Sequence, residues 1–243
     1  MNIESEVLLV TGANRGLGRE LVVAGLEAGA RRVYAGARDP AQLEPLVRAS
    51  AGRVVPLRID VTSDESLTAA AAWAPDVSLL VNNAGVLASY GVLSSTPQAL
   101  QQDFATNFFG VVAATRAFLP ALERAKRAAI VNVLSVVSLA NLPGLGGYSA
   151  SKAAAHSITQ ALRHDLASRG ISVHGVFAGA IDTDMVRGME MPKANPVDVA
   201  RAILRGVAAG TDDIFPDTMS EGLSTIWRGD PKQLERQMAS MGG

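Results

Sequence analysis

No cysteine occurs in the 243 residues, so neither a disulfide framework nor a thiolate metal site can form. Histidine is nearly as scarce. His156, His164 and His174 are the only three, and they do not cluster with carboxylates as metal ligands do. Charge of neither sign dominates: 22 basic and 23 acidic residues leave a net charge of −1, which excludes the basic footprint of a nucleic-acid binder. The opening "MNIESEVLLVTG" has no basic segment ahead of its short apolar run and so argues against a secretory signal. Two stretches lack charge altogether, 77–102 and 128–151, but Asn, Ser, Gly and Pro interrupt both, which argues against membrane spans. What remains is a soluble, cytoplasmic protein, 48% apolar and 19% charged, long enough to bury a sizeable core.

Short aliphatic runs alternate with longer helical patterns along the chain. Strands are expected at 7–10, 32–37, 53–59, 78–81, 129–134, 172–177 and 213–215. They are apolar without alternation, as parallel strands covered on both faces should be. Leu17, Leu21, Gly25 and Ala28 recur at helical spacing, with Gly29 as a stop. Asp39-Pro40, Thr96-Pro97 and Asn195-Pro196 each set a capping side chain before a proline suited to a first helical turn. Thr62 with Glu65 reads as a capping box. Seven strands interleaved with helices, and no linker or repeat, predict an α/β fold: a single doubly wound, Rossmann-type parallel sheet over 1–243. Its cofactor half is expected at about 1–125 and its catalytic and substrate half at about 126–243, with short amphipathic helices from Asp217 onward.

"TGANRGLG" joins the first strand to the first helix and places Gly12, Gly16 and Gly18 in the turn. Glycines there let backbone approach a pyrophosphate, and the helix N-terminus supplies amide donors; a tight turn alone is the plain alternative. The second strand ends at Ala37 without the carboxylate that usually binds a ribose hydroxyl. Arg38 follows it, and Arg15 lies inside the glycine loop. Two guanidinium groups at that corner favour a 2′-phosphate, hence NADP(H) over NAD. Asp39, before Pro40, reads as a helix cap.

Tyr148 and Lys152 stand one helical turn apart. With His156 neutral, Lys152 is the only charged residue between Arg127 and Arg163. A free phenol titrates near 10, so a phenolate near pH 7 needs about 4 kcal/mol of stabilisation. An ammonium some 4 Å away supplies about that at an effective dielectric near 20. The isolation of the lysine therefore suggests a neutral neighbourhood in which it lowers the tyrosine's pKa.

Together with "NNAG" at 82–85, these residues resemble the classical short-chain dehydrogenase/reductase family from Val7 to about Met185. The resemblance implies an NADPH-dependent reductase of a ketone or aldehyde, forming homotetramers or homodimers. It assigns Asn107 to a proton relay, Ser135 to orienting the carbonyl, Tyr148 to general acid/base catalysis and Lys152 to lowering its pKa and binding the nicotinamide ribose. The same likeness implies cofactor contacts from Gly12, Asn14, Arg15, Gly16, Leu17 and Gly18 in the loop, from Arg38, Asp60 and Val61, and from Asn83, Ala84 and Gly85. Gly179, Ile181 and Thr183 complete that set, although Ala178 replaces the family's proline and loosens the turn there. No metal is implied. Segments 86–95, 136–147 and 185–195 are mostly apolar and carry methionines, suggesting a neutral, bulky carbonyl substrate. A non-catalytic NADP-binding sensor is the alternative; a sugar-nucleotide epimerase would need a larger substrate domain than about 60 residues provide.

Overall fold

Every one of the seven expected strands forms, each within one residue of its expected limits. A computed structural model of the chain describes residues 2–241. In chain order the elements are β1 (Val7–Thr11), α1 (Gly16–Glu27), β2 (Arg32–Ala37), α2 (Glu44–Ala49), β3 (Val54–Arg58), α3 (Asp64–Trp73), β4 (Leu79–Asn82), α4 (Pro97–Phe104), α5 (Gly110–Arg124), β5 (Ala128–Val133), α6 (Gly146–Ala167), β6 (Ile171–Val176), α7 (Pro196–Ala209), β7 (Asp213–Ile214), α8 (Thr218–Gly229) and α9 (Pro231–Ser240). All strand pairs are parallel, in the order β3-β2-β1-β4-β5-β6-β7. The order reverses between β1 and β4. In doubly wound sheets ligands bind at that switch point, outside the carboxyl ends of the strands.

The absence of alternation in the strands has its cause in the layers. Residues of β1 point alternately into two cores: Leu8 and Val10 join Leu21, Val33, Ile203 and Val207 on one face, while Val7 and Leu9 join Leu67, Leu80, Phe118 and Ile130 on the other. Phe118 is fully buried, which contributes about 1.5–3 kcal/mol. On α1, Leu17, Leu21 and Gly25 face inward as expected, but Ala28 is exposed because the helix has already ended. A side chain at Gly25 would meet Leu8 at 2.7 Å, so the missing Cβ is what lets α1 lie close to β1. Gly29 adopts φ +87° and closes that helix.

The three cap-and-proline pairs behave as the sequence suggests: Asp39, Thr96 and Asn195 accept from the backbone N–H groups of Ala41, Ala99 and Val197. The capping box does not. Ser63, not Thr62, caps α3 by accepting from the Ser66 N–H. Thr62 instead donates its hydroxyl to the Asp60 carboxylate at 2.7 Å, so the strand end and not the helix claims it. Between α4 and α5 the helix widens into a π turn at Ala105–Phe109, a distortion frequent at functional sites.

Candidate active site

The site grows from two turns that lock each other at the switch point. Thr11, at the end of β1, accepts at its hydroxyl from the N–H groups of Asn83 and Ala84, both at 3.0 Å. Asn83 returns its side-chain amide to the carbonyls of Thr11 and Gly12. This leaves no room at Gly18: a Cβ there would sit 2.2 Å from the Gly12 carbonyl oxygen and 2.5 Å from Asn83 Nδ2. Gly12 and Gly16 take φ +66° and +53°, where glycine alone is unstrained. No side chain caps the N-terminus of α1, so its free amides face the cleft. An uncapped helix start behind a glycine cradle fits the diphosphate of a dinucleotide.

A cavity of about 980 Å³ opens over these turns. Of the residues expected at the site, every one lines it except Asn107. At the adenosine end lie Arg38, Asp60 and Val61. Asp60's carboxyl is held below its ordinary range, chiefly by the Thr62 hydroxyl and N–H, with Arg38 and Arg58 adding. The sequence reading missed Gln42 and Thr62 there; Gln42 accepts from Asn14 at 2.6 Å. Arg15, expected beside Arg38, reaches across the cleft instead and pairs with Asp184 at 3.1 Å, both side chains largely exposed. Exposed pairs contribute about 0–1 kcal/mol, so this one leaves the guanidinium free to exchange partners.

Gly16 abuts Thr183, whose Cγ2 a side chain at Gly16 would meet at 3.1 Å. The turn before it lacks the proline but is tied on both sides. Ala178's carbonyl accepts from Val136 N–H at 3.0 Å and from the Ser135 hydroxyl at 3.3 Å, and Gly179 N–H donates to Asp217 at 2.9 Å. Ser135 caps a short 3-10 turn and lines the cavity. Six methionines, 185, 189, 191, 219, 238 and 241, line the far side. Three of them come from loop 185–191, which the sequence marked, and three from α8 and the C-terminal end of α9, which it did not.

Tyr148 and Lys152, both buried, line the same cavity. Their electrostatics differ from the expectation. Lys152 Nζ donates to the Val133 carbonyl at 2.7 Å and lies 5.8 Å from the Tyr148 ring centre. Burial pushes the phenol well above its ordinary value, and Asp103 adds to that. The expectation that Lys152 lowers the tyrosine's pKa is thus corrected here, since desolvation dominates. Lys152 itself is pushed down to about 8 by burial, against Asp103. Nor is the neighbourhood neutral: the chain brings Asp103, 49 residues earlier, within electrostatic reach.

Asn107 sits apart from the other expected residues. It is 1% exposed and lies outside the cavity wall, within the π turn. Its Oδ1 accepts from Val86 N–H, and its Nδ2 donates to the Val86 carbonyl and to Ser151 Oγ. Ser151 in turn donates to the Tyr148 carbonyl at 2.7 Å. These bonds tie Asn107 to the start of α6, while its Oδ1 and Lys152 Nζ flank the same spot beside Gly85, where a Cβ would meet them at 3.2 and 3.6 Å. His156 lies edge-on to Phe177 and His164 is exposed, in keeping with ordinary helix positions.

The fold and cleft define a doubly wound α/β protein built to hold a dinucleotide at its switch point. The chain belongs to the short chain dehydrogenase family, whose model matches residues 6–193. A short chain dehydrogenase of Monascus ruber is 32% identical over 200 residues, 77% of this chain and 66% of that protein; the chain spans 44% of the length of another, from Aspergillus terreus. Among solved structures, a short chain dehydrogenase from Burkholderia cenocepacia in complex with NADP superposes with a TM-score of 0.90, at 38% identity over 98% of this chain and 99% of that one. One from Burkholderia phymatum in complex with NAD gives 0.87 at 25% identity, over 98% and 96%.

Proposed function

We propose that this protein uses NADPH to reduce a neutral, apolar ketone or aldehyde to an alcohol, with Tyr148 as proton donor. The observation that carries this reading is the single cavity onto which the glycine loop, Ser135, Tyr148 and Lys152 all open. The cofactor, when bound, supplies hydride chemistry. Gly12, Gly16 and Gly18 with the amides of α1 would hold its diphosphate, and Thr183, Ile181 and Lys152 its nicotinamide half.

The preference for the 2′-phosphate rests on charge. The one carboxylate directly after Arg38, that of Asp39, is committed to capping the Ala41 N–H. Arg38 is left as the group facing that corner, with Gln42 beside it. A phosphate rewards such a guanidinium more than a hydroxyl does.

On the substrate side, Ser135 orients the carbonyl oxygen and Tyr148 donates to the developing alkoxide. A phenol pushed up by burial holds its proton at neutral pH, which suits a donor. Lys152 lies behind it and, titrating near 8, can replace that proton. The methionines give an apolar, adaptable wall; Asp184, which lines the cavity beside Met185, is paired with Arg15. We place the protein in the cytoplasm as a homodimer or homotetramer.

A panel of ketones and aldehydes with NADPH and NADH, followed by absorbance of the reduced nicotinamide, tests the reading. Turnover of bulky apolar ketones, faster with NADPH, is expected. NADPH binding without turnover of any carbonyl or alcohol would instead support a sensor.

A further inference from the structure

Asp103 is a fully buried carboxylate that the reaction as described does not use. It sits on α4 one turn before Asn107. Its two oxygens accept from Ala88 N–H at 2.8 Å, from Ser89 N–H at 3.0 Å and from the Ser89 hydroxyl. Among the described residues no Lys, Arg or His nitrogen pairs with it. Burying an acceptor-only group without a cation is costly unless donors surround it, and all three donors here come from one segment, 88–89. That segment continues Val86 and Leu87, which wall the cavity. It is pressed onto α6: a Cβ at Gly147 would fall 2.1 Å from Ser89 Oγ, and Gly147 precedes Tyr148.

The titratable groups facing Asp103 are few. From α6 they are Tyr148 and Lys152, on both of which its charge acts. The segment 86–95 carries only the exposed phenol of Tyr90. α4 has no other charge and the π turn has none.

We propose that Asp103 is a positioning residue: its carboxylate pins the segment that walls the substrate side of the cleft, and its negative charge keeps the Tyr148–Lys152 pair protonated, the state from which carbonyl reduction begins. The inference rests on the proposed reductase activity. A negative charge nearby favours the protonated form of a phenol and of an amine alike, so its sign of action does not depend on which of the coupled groups titrates.

The test is the pH profile of kcat/KM for Asp103→Asn, Asp103→Glu and Ser89→Ala, with NADPH binding measured in parallel. Removing the charge in Asp103→Asn is expected to move the limb at which reduction fails to lower pH by at least about half a unit. Asp103→Glu, which keeps the charge, restores the parent's limb. Ser89→Ala keeps the charge but loses a clamp, so KM rises several-fold and the limb stays. An Asp103→Asn limb that is unmoved, or moved to higher pH, overturns the electrostatic part. A Ser89→Ala KM equal to the parent's overturns the clamp, and it remains measurable if Asp103→Asn does not fold. A parent with no turnover defeats the reductase reading itself and is thereby distinguished from both.

Discussion

Replacing Lys152 by methionine removes an ammonium from a buried site while keeping most of its aliphatic bulk. Burial lowers the lysine from 10.5 to about 8. Because the folded value is depressed, the unfolded chain binds the extra proton between those limits, and the parent gains stability as pH rises through that window. The stabilisation is complete above 10.5 and is lost as pH falls through 8. Integrated from pH 7 to pH 10, the gain is about 2.5 kcal/mol. Lys152→Met has no such group, so its unfolding free energy minus the parent's should fall by about 2.5 kcal/mol between those pH values. The Val133 carbonyl, which loses its donor, adds the same constant at every pH and drops out of the comparison. For a chain of this size the change corresponds to about 5–10 °C in the difference of melting temperatures. Denaturant or thermal unfolding of both proteins at pH 7, 8, 9 and 10 measures it. A difference that stays flat would show that Lys152 is not desolvated, and the account of its titration near 8 would fail.

Two substitutions probe the nucleotide cleft. In Gly18→Ala the new methyl overlaps the Gly12 carbonyl oxygen at 2.2 Å, and this backbone is locked to Asn83; the displaced loop should weaken NADPH binding by about 5- to 150-fold, from about 1–3 kcal/mol of overpacking, read by fluorescence titration. Arg38→Ala should lower the ratio of kcat/KM for NADPH over NADH by about 10- to 100-fold, the scale of one charge-assisted hydrogen bond. An unchanged ratio would place the 2′-phosphate, if it is bound at all, elsewhere.

Local signals carried the architecture. Runs such as "VLLV" and "RVYAGA" state both strand and burial, because a residue pair with cores on both faces leaves no polar alternation to misread. The glycine loop and the Tyr148–Lys152 spacing were legible for the same reason: each is a contiguous stretch whose geometry follows from one turn of backbone. What the sequence hid is contact at long range. The neutrality inferred around Lys152 counted neighbours along the chain, and Asp103 enters through the packing of α4 against α6. Asn82 likewise proves to be a buried strut, donating to Asn132 at 2.8 Å, with Asn132 donating to Thr159. Arg15 meets Asp184 across 169 residues. The misplaced cap at Thr62 has a smaller cause: adjacent Thr62 and Ser63 both suit an N-cap, and only the backbone entering α3 decides between them.

At the centre of the account stands one hydroxyl, that of Tyr148, giving a proton to a carbonyl oxygen beside Ser135. Turnover of a reduced ketone by Tyr148→Phe, with NADPH affinity measured on the same sample, tests this most directly. The expected result is a loss of about 10²- to 10⁴-fold in kcat at unchanged NADPH affinity. A variant that reduced the same ketone at close to the parent's rate would contradict it.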